Sequence, residues 1–342
     1  ILSSGREIQS CEVAFETYGQ LNKEKSNGIL ICHALTGDQF CSGINPLTKK
    51  KGWWDILIGP GKIIDTNIFF VICSNVLGGC MGSTGPSTVD PKTGKQYGLN
   101  FPVITISDMV KLQVKLINSL GIKKLFAVIG GSMGGMQTLE WASRFEKKVN
   151  AVIPIASSYR HSAQNIAFHE IGRQAIMADT NWKSGNYYGS KQKPKRGLAV
   201  ARMIAHITYL SDDSMRQKFG RDLREGKLHF GYDIDFQVES YLRYQGSQFV
   251  SRFDANTYLL MTRALDRYDA SAHTNGDMSA AMRNACADFL VISFSSDWRF
   301  APTRSQELVN ALLAAEKRVT YSDIESDAGH DAFLLNEPEY IA

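Results

Sequence analysis

The segment Leu125–Trp141, LFAVIGGSMGGMQTLEW, constrains this chain more than any other. Five apolar residues, Leu125 to Ile129, have the length of a buried strand. They run into Gly130-Gly131-Ser132-Met133-Gly134, and helical spacing follows through Met136, Leu139 and Trp141. A strand that turns straight into a helix brings two backbones together, and glycine on either side of the serine leaves room where a Cβ would collide. The pattern is Gly-x-Ser-x-Gly, a turn that lifts a serine hydroxyl to its tip and aims the N–H groups of the following helix at it. Ser132 is therefore the candidate nucleophile. The Met133 amide is a candidate donor to the oxyanion that attack by Ser132 would create. A plain glycine-rich turn with an idle serine is the competing interpretation, and the strand and helix flanks argue against it.

A serine needs a base, and the base needs an orienting acid. On this kind of turn the chain order is serine, acid, histidine. Asp297 follows the apolar run Phe289–Phe294, and His330 follows the last strand pattern, Arg318–Ile324. Asp323 and Asp327 are weaker rivals because they belong to the wrong strand. The other histidines are His33, ahead of the elbow, and His161, His169, His206, His229 and His273 in a long segment of different character. His161 and His169 are placed to share a helix face, but no third ligand accompanies them with metal spacing, so no metal site is expected. His33 reads as a structural histidine that ties down its own loop.

The remaining patterns supply the frame. Residues 11–18 alternate as a half-buried strand, which predicts an early hairpin at a sheet edge; Ile29–Cys32 and Ile68–Cys73 are continuous apolar runs, as in strands buried on both faces; Thr105–Gly121 is an amphipathic helix. Alternating strands and helices predict a mostly parallel sheet flanked by helices. The alternation stops after Val149–Ala156 and resumes at Asp288. The expected organisation is thus a core of residues 1–156 and 286–342, of the α/β-hydrolase class, with a helical lid of residues 157–285 between core strands six and seven. In that class the loop after an early core strand supplies a second oxyanion donor, which makes the Leu35 amide in His33-Ala34-Leu35-Thr36-Gly37 the partner of Met133. The glycine-rich stretch Asn75–Pro86 is suited either to cradling phosphate or to a surface crossover, and it lacks the ending of a nucleotide-hydrolysing P-loop.

The chain has 342 residues and a formal net charge of +4, distributed along its length, which makes nucleic acid an unsuitable partner. Its six cysteines form no Cys-x-x-Cys pair. With no basic start, apolar core or spanning-length apolar run, the sequence predicts a cytoplasmic chain that is neither exported nor membrane-bound.

Glu16–Gly19, His33–Gly37, Asn75–Pro86, Gly130–Trp141 and Gly329-His330-Asp331 together resemble the homoserine O-acetyltransferases, and the resemblance runs along essentially the whole chain. It implies transfer of the acetyl group of acetyl-CoA to L-homoserine through an acetyl-serine intermediate, in methionine biosynthesis, with Ser132, Asp297 and His330 as the triad. It also implies substrate contacts by Arg202 and Asp331, a homodimer joined through the lid helices, no bound cofactor, and a further helix beyond Ala342. Since homoserine carries an ammonium and a carboxylate, Asp331 suits the first and Arg202 the second. The shared motifs leave homoserine succinylation, serine acylation and simple ester hydrolysis open as alternatives.

Overall fold

The computed structural model describes residues 1–341; Ala342, the outer bound of the expected core, lies outside them. A seven-stranded sheet organises the chain. Its strands are β1 (Phe15–Tyr18), β2 (Gly28–Cys32), β5 (Phe70–Ser74), β6 (Leu125–Gly131), β7 (Val149–Ile155), β8 (Asp288–Phe294) and β9 (Val319–Ile324), in the spatial order β1-β5-β2-β6-β7-β8-β9. The two-residue strands β3 (Ile58–Gly59) and β4 (Ile64–Asp65) pair only with each other. Every pairing in the large sheet is parallel except β1 with β5. Successive β2 residues serve opposite faces: Leu30 and Cys32 join one apolar core, Ile29 and Ile31 the other. That is why the strand reads as an unbroken apolar run.

Two expectations are corrected. The early hairpin does not form, because β1 lies against β5 rather than β2 and only Phe15–Tyr18 enter the ladder. The backbone just before them is held by the glycine-rich loop: the Glu12 and Ala14 amides donate to the Thr84 and Ser83 hydroxyls, and the Glu12 carbonyl accepts from the Thr84 amide. For the same reason, five strands of the large sheet, not six, precede the helical segment.

On the face beside the elbow lie α1 (Ile106–Ser119) and α2 (Met133–Arg144). Thr105 and Asp108 close a capping box that starts α1. Between β7 and β8 come α3 (Ala163–Met177), α4 (Lys195–Tyr209), α5 (Asp212–Phe219), α6 (Gln237–Val250), α7 (Ala255–Asp266) and α8 (Met278–Met282), and after β8 comes α9 (Pro302–Ala314). Glycine allows the close crossings among these helices. A Cβ on Gly197 would stand 2.3 Å from the Ala175 carbonyl oxygen.

The loop after β2 is anchored by buried polar side chains. The Val76 amide donates to His33 Nε2 over 3.1 Å, and His33 Nδ1 lies 2.8 Å from the Ala34 carbonyl oxygen. An amide can only donate, so Nε2 is the acceptor and the proton sits on Nδ1. Burial lowers the imidazole's pKa and keeps the ring neutral. Gln137 on α2 reaches the His33 carbonyl, and Gln113 links Gln137 to the Trp141 indole. The glycine-rich loop closes on itself, with Asn75 Oδ1 accepting from the Met81 amide and the Ser83 hydroxyl donating to the Asn75 carbonyl.

His33→Ala should lower the unfolding free energy by about 1–3 kcal/mol, the cost of leaving the buried Val76 amide without an acceptor. Urea denaturation measures this, and an unchanged midpoint would show that the ring does not hold the loop.

Candidate active site

Ser132 sits where β6 becomes α2, with φ 57° and ψ −122°. A side chain rarely adopts such a backbone, and holding one there costs about 1–3 kcal/mol. The surroundings enforce it. The Ser132 amide donates to the Ile155 carbonyl (2.9 Å), and its carbonyl accepts from the Gly135 amide (2.9 Å) and the Ser157 hydroxyl (2.8 Å). A Cβ on Gly134 would lie 2.0 Å from the Cys32 carbonyl oxygen, and one on Gly130 would lie 2.4 Å from the Gly134 backbone. The glycines of the motif therefore mark real backbone contacts.

Asp297 follows β8 and is buried. Its Oδ1 accepts from the Arg299 and Phe300 amides, each at 2.9 Å, and its Oδ2 lies 2.7 Å from His330 Nδ1. His330, in a short 3-10 turn after β9, places Nε2 3.0 Å from Ser132 Oγ. With Nδ1 donating to the carboxylate, Nε2 is free to accept the serine proton. Asp323 instead accepts from the Ser293 hydroxyl, and Asp327 meets Ser211 through its carbonyl. The turn holding His330 rests on the end of α4: a Cβ on Gly329 would lie 2.5 Å from the Ser211 amide nitrogen, and the Trp298 indole donates to the Leu210 carbonyl.

The cavity over Ser132 is lined by the loop Ala34–Thr36, by Arg202 and Tyr209 of α4, and by Arg299, Phe300, His330 and Asp331. Leu35 is thus at the cavity, while Met133 is the first residue of α2, directly after Ser132. Arg202 lies over the rings of Phe249 and Tyr209, with Nη1 3.4 Å from the Thr36 hydroxyl and Nε buried without a partner. Burial raises the pKa of Asp331, while the nearby Arg202 guanidinium acts to lower it. The structure therefore brings Ser132, His330, Leu35, Arg202 and Asp331 to one cavity, while Asp297 lies behind His330 and Met133 is buried at the start of α2.

Sequence reasoning missed Arg252, which donates to the Thr36 carbonyl over 2.9 Å, and Arg299. A lone arginine in a helical segment carries no motif, so no signal pointed to Arg252. The position of Arg299, two residues after Asp297, was the available clue. Sequence reasoning also set His161 and His169 aside for want of a third ligand. Asp266 comes within 3.4 Å and 2.7 Å of them, too distant in sequence to have been noticed. The Arg173 and Arg299 guanidiniums lie against this cluster, which supplies positive charge where a metal ion would have to bind.

A family model described as the alpha/beta hydrolase fold matches residues 27–337. A homoserine O-acetyltransferase of Mesorhizobium japonicum is 56% identical over 342 residues, covering 100% of this chain and 88% of the relative; one of Pelagibacter ubique is 56% identical over 341 residues, covering 99% and 92%. The crystal structure of homoserine O-acetyltransferase from Bacillus anthracis superposes with a TM-score of 0.90 at 30% identity, covering 97% of this chain and 90% of that one. That of esterase E22 superposes with a TM-score of 0.88 at 31% identity, covering 98% and 93%. The strained serine, its histidine and its acid thus lie in a chain that belongs to the alpha/beta hydrolase fold family and, within it, to the homoserine O-acetyltransferases.

Proposed function

We propose that the protein transfers an acetyl group from acetyl-CoA to the hydroxyl of L-homoserine in two half-reactions through Ser132, as a step of methionine biosynthesis. The observation that carries this reading is the hydrogen-bonded line from Asp297 through His330 to Ser132 Oγ, in a chain 56% identical to curated homoserine O-acetyltransferases. In the first half-reaction His330 Nε2 takes the Ser132 proton as Oγ attacks the thioester carbonyl. Asp297 stabilises the imidazolium, and the Leu35 and Met133 amides receive the oxyanion. The C–S bond then breaks, His330 returns the proton to the departing thiolate, and acetyl-Ser132 remains. In the second half-reaction His330 takes the homoserine hydroxyl proton, the new alkoxide attacks the acetyl-serine carbonyl, and Ser132 leaves with that proton.

Asp331, next to His330, is assigned the substrate ammonium, and Arg202 the carboxylate. A buried site for a zwitterion needs both partners, since otherwise desolvation opposes binding. Tyr209, Phe249 and Thr36 hold Arg202 against the cavity in advance. The helical segment 157–285 is assigned the role of a lid that keeps water from the acyl-enzyme, with 1–156 and 286–342 as the core. A homodimer through the lid helices and a cytoplasmic setting complete the proposal. The chemistry described requires neither a metal nor a bound cofactor.

Esterase E22, with the same fold, makes hydrolysis the second reading. The two are separated by incubating the protein with acetyl-CoA and following CoA release. The transferase reading expects release to rise steeply when L-homoserine is added, with O-acetylhomoserine accumulating, whereas equal release with and without the acceptor would establish a hydrolase. Release that rises more with succinyl-CoA, or with L-serine, would replace the donor or the acceptor. Quenching the reaction with acetyl-CoA alone should leave acetyl on the peptide containing Ser132, and Ser132→Ala should abolish that label and cost about three or more decades of rate; label on any other residue would overturn the covalent scheme. Finally, Asp331→Ala should raise the KM for homoserine while leaving the acetyl-enzyme burst intact, and loss of the burst would place Asp331 in support of the triad.

A further inference from the structure

Beside the triad, Asp266 of α7, His169 of α3 and Arg299 form a second buried acid–imidazole line. His169 Nδ1 lies 2.7 Å from Asp266 Oδ1, and its Nε2 lies 2.9 Å from Arg299 Nη2. A guanidinium only donates, so Nε2 is the acceptor and His169 carries its proton on Nδ1. Burial holds the pKa of His169 down at about 3, so the ring stays neutral. Arg173 braces the other Asp266 oxygen at 2.6 Å. Arg299 also donates from Nη1 to the Thr208 hydroxyl of α4 (2.7 Å), and its backbone amide donates to Asp297 Oδ1 (2.9 Å).

We infer that Arg299 is a positioning residue: through these bonds α3, α4 and α7 hold the 297–300 loop, and with it the Asp297 carboxylate, in the orientation that His330 needs. The physical reason is that the Arg299 side chain bonds α3 and α4 directly, and α7 through His169, to the loop whose amides orient Asp297, while Asn165 of α3 adds a bond to the Arg299 carbonyl. A guanidinium has the several donors in a fixed plane that such a junction requires. The inference rests on the assignment of Asp297 to the triad. It predicts that the lid segment is coupled to the chemistry, rather than merely covering it.

The test compares R299K, R299Q and H169A with the parent protein, measuring folded stability by urea denaturation and the rate of Ser132 acetylation by acetyl-CoA across pH 5–9. R299K keeps the charge but cannot reach His169 and Thr208 together. It should fold, slow acetylation at least tenfold, and shift downward the pH at which acetylation is half-maximal, because a less well-oriented Asp297 stabilises the His330 imidazolium less and the ring gives up its proton at lower pH. H169A removes the acceptor for Arg299 without touching the cavity charge and should shift the profile in the same direction. R299Q separates charge from position: a profile restored by R299K but not by R299Q would show that the charge alone matters and overturn the inference. It is also overturned if R299K and H169A slow acetylation with an unmoved pH profile, or leave it unchanged. Whether Ser132 is the acetylated residue is read independently from the label in the parent protein, so failure of the triad assignment is distinguishable from failure of the brace.

Discussion

Everything in this structure depends on the backbone of Ser132 being held in a conformation it would not choose. The strain is small beside the stability of a chain this long, but it has to be imposed from several directions at once. The Ile155 carbonyl, the Ser157 hydroxyl and the Gly135 amide take the serine's peptide groups, while Gly130 and Gly134 let the Cys32 strand and the start of α2 approach. The reward is a hydroxyl that projects from the end of a parallel sheet, at the N-terminus of a helix, where developing negative charge is best tolerated.

The groups that complete the site arrive from distant parts of the chain and are fixed by backbone amides more than by other side chains. Asp297 has one oxygen occupied by two amides, which leaves the other for His330. The His33 imidazole, buried and neutral, fixes the loop that carries Leu35 by accepting from the Val76 amide. In each case a buried polar group finds a partner, and the partner sets the direction of the catalytic group.

The helical segment and the core are bound together by arginines from both. Arg252 and Arg202 meet Thr36 on one side of the cavity, and Arg299 meets Thr208 and His169 on the other. Clustered charges of one sign would oppose folding, and they are compensated here by aromatic faces, by Asp331 and by the Asp266 cluster. The cavity therefore combines a few charged groups with apolar walls such as Leu35, Phe300 and Phe333.

The sequence by itself determined the parallel sheet, the elbow and the order of the three catalytic candidates, because strand periodicity and glycine requirements are local and leave their mark on consecutive residues. It misjudged the first strand, since the Ser83 and Thr84 hydroxyls that end its ladder lie some seventy residues away. Only the tertiary structure decided that Arg299 reaches the cavity, that Arg252 ties down the Thr36 carbonyl at its edge, and that Asp266 stands between His161 and His169. Such contacts are made by side chains from separate helices, and the spacing of residues along one helix carries no record of what faces it from another.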